Sequence, residues 1–410
     1  MSFLKNRKLT LKINNFLHNP VRCEKGLPQG SVLSPLLFII YIKDMLLNIK
    51  GTCLQYADDC TVLMTAKTSA ELQGNCQANC QLIQNWMLKW KLEVNYQKTE
   101  LVVFNGNLRP SKMGNNTLQV TGFSKVLGIT VDDKLTFDRQ RSACIRSIEQ
   151  KMNMMKPYLY SGLNCRSARS IFTLVILPKA LYGASLWDTN NKVTLTSHLK
   201  LLLGAHYNPP TGSLNVLIRV PPVELIYTKE RLQLVKGLAR IGQTHILSNT
   251  PKSLITKAFM ADTRKLIHRS TLLEEIKQSD LTKAKINNLI QTLWKRQWRL
   301  SLTNNLCPYG LISDLPPDHL FKFPVPLETK RKDLAALCDL LTGHNRLQLF
   351  QYRINMTYSP LCTCLEEEET VSHYIYSCQD YSSARAIYKP SPNDWSSLTQ
   401  YIIATQRLQF

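Results

Sequence analysis

At 410 residues with 44% hydrophobic side chains, the chain is long enough for two or three domains with cores of their own. Fifty-one lysines and arginines against 29 aspartates and glutamates leave a formal charge of +22, a field that favours a polyanion, either nucleic acid or an anionic membrane surface. No apolar run reaches the roughly 18 to 20 residues of a membrane-crossing helix: Val32–Ile42 is stopped by Lys43-Asp44, and the basic stretch Met1 to Lys12 leads into no signal-peptide core. The expectation is an intracellular protein, in nucleus or cytoplasm, with no membrane segment. Its twelve cysteines then read as reduced thiols rather than disulfides, with Cys23, Cys144, Cys165, Cys307 and Cys338 as core fillers.

In chain order, Leu9-Thr10-Leu11-Lys12-Ile13 alternates as a strand does and ends near Asn19-Pro20. Gly26, Pro28 and Gly30 then give Gly26-Leu27-Pro28-Gln29-Gly30-Ser31 a tight, irregular backbone that a flat ligand can approach closely. Ser34-Pro35 reads as the N-cap and first position of a helix, with Leu36, Leu37, Ile40, Tyr41 and Met45 at helical spacing. Two runs of strand-type residues follow, Thr52 to Tyr56 and Cys60 to Met64, with Asp58-Asp59 between them at an expected hairpin tip. Carboxylates about 5 Å apart repel by roughly 3 kcal/mol at an effective dielectric near 20. Water relieves that at a solvated turn; a cation relieves it at a site, and Mg²⁺ favours such oxygens. A carboxylate-held metal pair is also what activates a 3′-hydroxyl and stabilises departing pyrophosphate in polymerases.

The thirteen residues Gly26 to Phe38, followed at this distance by Tyr56-Ala57-Asp58-Asp59, resemble the reverse transcriptase of non-LTR retrotransposons of the jockey and I type. The resemblance implies an α+β fold: a partial right-hand polymerase palm (antiparallel sheet with helices), a helical thumb and connection, and a small Cys/His tail. It implies Mg²⁺ on Asp58 and Asp59, and a template–nucleotide pocket shaped by Pro28, Gln29, Gly30, Ser31, Tyr56 and Ala57. The partners it implies are an RNA template, a DNA primer or nicked target, and deoxynucleoside triphosphates. The family's first palm aspartate and its fingers have no counterpart in the sequence, so the chain reads as N-terminally truncated. Asp58 and Asp59 are then expected to lack a third carboxylate and the hairpin a neighbouring strand, and the chain alone is not expected to polymerise DNA.

Residues 69 to 92 read as a helix whose buried stripe is Leu72, Cys76, Leu82, Ile83, Trp86 and Trp90. Asn95-x-x-Lys98-Thr99 precedes the strand Leu101–Phe104. In the resembled family the lysine of such a stretch lies near the nucleotide phosphates, which implies for Lys98 a catalytic part as general acid for pyrophosphate or as a charge that attracts triphosphate. A solvated lysine at a turn is the alternative. Val126 to Phe137 reads as strand, turn, strand and resembles the primer-gripping hairpin, with Leu127 and Gly128 seating the primer; Asp132-Asp133 reads as a plain turn. A helix is expected from Asp138 to about Met155, with Pro157 just beyond it, and a second over Ser167 to Trp187, carrying Ile171, Leu174, Ile176 and Leu177 and interrupted at Pro178. Both resemble the family's thumb.

Residues 226 to 300 hold fifteen lysines and arginines against five acids. Leu281 to Trp298 reads as an amphipathic helix whose Lys283, Lys285, Lys295, Arg296 and Arg299 either grip phosphate or form a solvated face. Leu315-Pro316-Pro317 and Phe323-Pro324-Val325-Pro326 mark an expected linker. Finally, Cys362-x-Cys364-x8-His373-x4-Cys378 sets three thiols and an imidazole within seventeen residues, a donor set suited to a tetrahedral Zn²⁺ site. It also resembles the Cys-x-Cys…His-x4-Cys tail that follows the polymerase in this family. The intervening Glu366–Glu369 run reads as solvated. The expected division is 1–137 partial palm with primer grip, 138–225 thumb, 226–315 basic helical connection, and 316–410 a C-terminal region with the zinc-knuckle-like motif. The function that competes with the polymerase is a non-catalytic nucleic-acid-binding protein that uses the basic connection and the Cys/His tail.

Overall fold

In a computed structural model, which describes residues 3–159, 163–184, 186, 192–205, 208–239, 282–304, 307, 309–322 and 324–408, helices alternate with short hairpins and, among the described residues, every sheet is a pair of strands. The chain divides at Phe137 into two units, Met1–Phe137 and Asp138–Phe410.

In the smaller unit, β1 (Arg7–Leu9) pairs antiparallel with β4 (Val21–Cys23), and β2 (Lys12–Ile13) with β3 (Phe16–Leu17). Helix α1 (Leu33–Ile42) leads to the hairpin β5 (Thr52–Tyr56) and β6 (Asp59–Leu63). The long helix α2 (Ser69–Lys89) follows. Then come β7 (Leu101–Val102), β8 (Ser111–Met113), β9 (Asn116–Leu118), β10 (Val120–Thr121), β11 (Phe123–Val126) and β12 (Ile129–Asp132). β8–β9 and β11–β12 are antiparallel hairpins, and β7 lies parallel to β10.

Local chemistry sets these elements. The Thr68 hydroxyl caps α2 at Glu71 N (3.2 Å), and the Glu71 carboxylate accepts from Lys67 N (3.1 Å), a variant of the capping box. The face that α2 buries is Cys76, Asn79 and Cys80, packed on Met113 and Leu118. The stripe expected from periodicity is displaced: Leu82 is exposed and Trp86 and Trp90 are half-buried. At α1 the expected Ser34 cap is corrected as well. The helix begins at Leu33, and the Ser34 hydroxyl instead donates to the Pro28 carbonyl (2.6 Å).

The turn after β12 is organised by one carboxylate. Buried Asp132 accepts from Lys134 N, Thr136 N, Thr136 Oγ1 and Phe137 N at 2.6–3.2 Å. Burial alone would raise its carboxyl; the Thr136 and Phe137 amides outweigh that and hold it below the usual range. Hydrogen bonds to a charged group contribute about 1.5–3 kcal/mol, so Asp132→Ala is expected to destabilise the unit by about 2 kcal/mol at pH 7. A depressed folded-state value means this contribution is present above the unfolded value of about pH 4 and is lost as pH falls through the folded one. Urea midpoints of wild type and variant should therefore differ at pH 7 and draw together as the pH falls below the folded-state value.

The larger unit is helical. α3 (Asp138–Leu159) runs through Pro157 rather than ending before it, its last turn carried by the fully buried Leu159. α4 (Cys165–Ile171) passes through a π-helical turn, Phe172–Ile176, into α5 (Leu177–Leu181). That wider turn precedes Pro178, which lacks an N–H to donate, and it rephases the buried face. Phe172, Ile176 and Leu177 are inside, whereas Leu174 is 73% exposed. α6 (Lys192–Leu203), α7 (Thr211–Ile218) and α8 (Val223–Ala239) follow; then α9 (Lys283–Thr303), the short α10 (His319–Lys322), α11 (Arg331–Thr342), α12 (Gln348–Arg353), α13 (Ser382–Tyr388) and α14 (Trp395–Thr405).

The hub of this unit is α11, buried at every residue from Asp333 to Thr342. It ends on Gly343 (φ 75°), where a β-carbon would meet the Tyr309 carbonyl carbon at 2.4 Å, so only glycine fits both the conformation and the gap. The expected linker is packed instead: His319, Leu320 and Val325 are buried, and His319 Nε2 bonds the Pro392 carbonyl (2.8 Å). Cys144, Cys165, Cys307 and Cys338 are buried free thiols. The part of the basic connection at 240–281 lies outside the described residues.

Candidate active site and metal centre

The loop ahead of α1 owes its shape to two left-handed glycines, Gly26 (φ 77°) and Gly30 (φ 85°). A β-carbon at either would meet no atom within 4 Å, so the glycines serve the backbone conformation and leave the loop surface open. Arg7 Nη2 donates to the Lys25 and Gly26 carbonyls (3.0 and 2.5 Å), and the Ser34 hydroxyl holds the Pro28 carbonyl from the other side. Gln29 and Gly30 are exposed between these fastenings; Pro28 and Ser31 are half-buried.

The acidic pair sits where the β5–β6 register turns. Tyr56 pairs with Asp59, leaving Ala57-Asp58 as the two-residue turn, so Asp59 opens β6 rather than belonging to the tip itself. Ala57 takes φ 51°, a conformation costly for a residue with a β-carbon. Tyr56, Ala57, Asp58 and Asp59 are all exposed. The base of the hairpin is clamped by a buried amide. Asn79 of α2, 3% exposed, accepts from Lys50 N (2.9 Å) and donates to the Lys50 carbonyl (2.8 Å) and to Met64 Sδ (3.0 Å). Gly51 completes the clamp, since a β-carbon there would lie 2.5 Å from the Leu63 carbonyl oxygen. The same helix and its C-cap hold α1 and the residues just after it, through Tyr41 Oη to the Trp90 carbonyl (2.5 Å) and Trp86 Nε1 to Asp44 (3.2 Å). α2 is thus the common support of the loop-bearing helix and the acidic hairpin. Sequence periodicity gave no sign of Asn79.

Lys98 lies in a turn held by Asn95, whose carbonyl accepts from Lys98 N (3.1 Å); its ammonium is exposed, and among the described residues no ion pair joins it to Asp58 or Asp59. Leu127 (φ 47°) and Gly128 (φ 83°) form the two-residue turn of the β11–β12 hairpin, the pattern of a type I′ turn with leucine in a position glycine or asparagine normally takes. Among the described residues, no group of three or more metal-ligating side chains includes Asp58 or Asp59.

The Cys/His residues do converge. One ligand atom each from Cys362, Cys364, His373 and Cys378 lies within 4.8 Å of all the others. Cys362 and Cys378 Sγ are 3.6 Å apart, and Cys364 Sγ is 3.3 Å from His373 Nε2. An antiparallel bridge between Leu361 and Glu368 folds the first two ligands into a tight loop, closed by Cys362 N to the Glu367 carbonyl (2.9 Å). His373 and Cys378 are brought together by a π-helical turn, His373–Ser377, closed by Cys378 N to the His373 carbonyl (2.8 Å). In an α-helix, residues five apart point about 140° away from each other; the wider π turn returns them to one side.

The glutamate run is solvated at Glu366, Glu367 and Glu368, as expected, and corrected at Glu369. Exposed Glu367 still reaches His373 Nδ1 (3.0 Å), leaving Nε2 toward the thiols. Glu369 is wholly buried and paired with Arg407 (2.7 and 2.5 Å), and it also accepts from Gln348 N (2.6 Å). The Glu366 amide lowers the Cys364 thiol, whereas burial and the neighbouring Cys362 push Cys378 up to about 12. A metal ion held by these four residues would supply the positive charge that keeps such thiols ionised.

Comparison with known proteins bears on the smaller unit first. Residues 2–137 match the reverse transcriptase (RNA-dependent DNA polymerase) family. That match covers about a third of the chain and falls within the smaller unit. Among its relatives, the probable RNA-directed DNA polymerase from transposon BS of Drosophila melanogaster is 29% identical over 45% of this chain and 22% of its own length. The RNA-directed DNA polymerase from mobile element jockey of the same species is 26% identical over 48% of this chain and 23% of its own. The retrovirus-related Pol polyprotein from type-1 retrotransposable element R1 2 of Nasonia vitripennis is 21% identical over 88% of this chain and 86% of its own. The chain spans less than a quarter of the length of the two Drosophila relatives.

Proposed function

We propose that this chain is part of an RNA-directed DNA polymerase of a non-LTR retrotransposon, with Met1–Phe137 as palm, the helices from α3 onward as thumb and connection, and the Cys/His region as a zinc-holding tail. The observation that carries the reading is Asp58-Asp59 at a strained hairpin turn, in the segment that matches the reverse transcriptase family. Asp58 and Asp59 offer oxygen donors to Mg²⁺, though as two carboxylates they make an incomplete set. When bound, the divalent ions activate a primer 3′-hydroxyl and stabilise the leaving pyrophosphate. Gln29 and Gly30 face the template–nucleotide pair across an open loop, with Pro28, Ser31, Tyr56 and Ala57 around them. Lys98 attracts the triphosphate, and the Leu127-Gly128 turn seats the primer end. RNA template, DNA primer and deoxynucleoside triphosphates are the partners this assigns.

Primer extension on an RNA template with Mg²⁺ tests it. The 410-residue chain alone is expected to give no product, because two carboxylates hold the ions weakly. Supplied in trans with the part of a related RNA-directed DNA polymerase that this chain does not match, it is expected to extend the primer. There Asp58→Asn or Asp59→Asn should lower the rate on the order of 10³-fold, about 4 kcal/mol of transition-state stabilisation. Unchanged rates in both variants would refute the assignment.

The charge on α9 supports a second reading, a nucleic-acid binder that needs no catalysis. Ile286, Ile290, Trp294 and Trp298 are buried on one side, while Lys283, Lys285, Lys295, Arg296 and Arg299 are exposed, and the helix holds no acidic residue. Arg299 is tied to Asp318 and Lys295 lies over the Phe321 ring, so Lys283, Lys285 and Arg296 are the phosphate-gripping candidates. Salt-sensitive binding that survives loss of both aspartates but not of these three charges distinguishes it. Among the described residues, no helix is long and apolar enough to cross a membrane.

A further inference from the structure

The smaller unit carries a ribbon that neither reading uses. β1 and β4 form its root, β2 and β3 its far end, and Asn14-Asn15 its turn. Every residue from Lys8 to Arg22 is exposed. A lone two-stranded ribbon is marginal in water at best, and one with both faces wet lacks the burial that holds strands in place.

Its charges also work against it. The register sets Lys8 directly opposite Arg22, two cations side by side on one face, where like charges repel. Over residues 5–25, Lys5, Arg7, Lys12 and Lys25 add to them and only Glu24 opposes. Among the described residues, no ion pair involves any of these side chains. Arg7 is committed to the Lys25 and Gly26 carbonyls, and Arg22 makes one bond, from Nη2 to Asn6 Oδ1 (3.1 Å). Lys8, Lys12 and the rest of the Arg22 fork stand in solvent.

Apolar side chains are interleaved with these cations. The pair next to Lys8 and Arg22 is Leu9 with Val21, and the pair beside the turn is Ile13 with Phe16, all exposed and Phe16 at 81%. The cations want anions and the ring wants a flat apolar partner. A single nucleic-acid strand offers both at a regular spacing, phosphates along its backbone and unstacked bases beside them. A duplex would answer the charges but not the ring, because its bases are already stacked on one another. The Arg7 bonds to Lys25 and Gly26 fasten the root of the ribbon to the loop that presents Gln29 and Gly30.

We propose that the ribbon Arg7–Cys23 binds a single nucleic-acid strand, with Lys8, Lys12 and Arg22 on its phosphates and Phe16 on a base, and leads it to the Gln29-Gly30 loop. That destination rests on the polymerase reading; the binding itself does not.

Fluorescence anisotropy of the 410-residue chain with a labelled strand of about 20 nucleotides, over a salt series, tests this. Lys8→Gln/Arg22→Gln is expected to bind about tenfold more weakly, with a salt slope smaller in magnitude by about 1.4, two phosphates at about 0.7 each. Phe16→Ala should also bind about tenfold more weakly but at an unchanged slope, and Phe16→Trp should bind like wild type. On a duplex of the same length, Phe16→Ala should stay within about twofold of wild type. All three positions are exposed, so each variant should melt with wild type. A bromouracil-substituted strand irradiated on the wild-type chain reads the contact without any variant, and should cross-link to the tryptic peptide Ile13–Arg22. Variants that melt like wild type and bind the strand within about twofold of it, a Phe16→Ala loss equal on strand and duplex, or cross-links only elsewhere in the chain each overturn the proposal. Ribbon-dependent binding needs neither Mg²⁺ nor Asp58-Asp59. Its presence in a chain that never extends a primer would sink the polymerase reading alone, and primer extension without it would sink this proposal alone.

Discussion

One equivalent of zinc is expected in the 410-residue chain, and its removal by a chelator should unfold the region around Cys362–Cys378. The separation of the Cys362 and Cys378 sulfurs, 3.6 Å, is close to the tetrahedral edge of about 3.8 Å that a Zn–S bond of 2.3 Å implies. The fourth donor is oriented before any ion arrives, because Glu367 engages His373 Nδ1 and turns Nε2 toward Cys364. Structural zinc sites in isolated peptides contribute apparent free energies of about 10–16 kcal/mol. Here part of the arrangement is already built by Leu361–Glu368 pairing and the π turn, so a loss of several kcal/mol is the appropriate expectation. Metal analysis of wild type and Cys378→Ser, with limited proteolysis before and after chelation, reads both effects. Wild type isolated from zinc-supplemented medium with zinc near zero would remove the assignment.

Replacing Glu369 should be the most damaging single change in the C-terminal region. Its carboxylate is wholly buried, accepts two bonds from Arg407 and one from the amide that opens α12 at Gln348, and so ties three separate stretches of chain together. Removing one partner of a buried pair costs about 3–5 kcal/mol, because the other charge is left uncompensated. For a unit of this size Glu369→Ala is expected to lower the melting temperature by about 10 °C. Exchanging both residues for methionine should restore most of that loss, since the stranded charge is gone with its partner. A Glu369→Ala protein melting within 1 °C of wild type would contradict this account.

What the sequence disclosed and what it hid separate along physical lines. The hairpin Thr52–Leu63, the glycine-bearing loop and the Cys/His ligand set were legible because each depends on local residue chemistry: strand formers about a turn, glycines where φ is positive, sulfur and imidazole at close spacing. Features that depend on a change of helical pitch were not. The π turn at Phe172–Ile176 put Leu174 outside, and the one at His373–Ser377 made a x4 spacing suitable for two ligands. Partners distant in sequence were equally silent. Glu369 was read as solvated because Arg407 lies 38 residues away, and Asn79 passed as an ordinary helix residue because Lys50 and Met64 gave no hint of it. Pro-rich segments at 315–326 suggested a linker, yet their prolines punctuate a packed turn around His319 and Val325.

The anchoring of the acidic hairpin has a mechanical consequence. Five residues per strand make a ribbon about 17 Å long, gripped at its root by Asn79 and Gly51 and, among the described residues, with no third strand alongside. Such a cantilever bends most at its free end, which is where Asp58 and Asp59 sit. If the proposed ions bind there, their final alignment is set by the bound group, which would stiffen the arm that holds it.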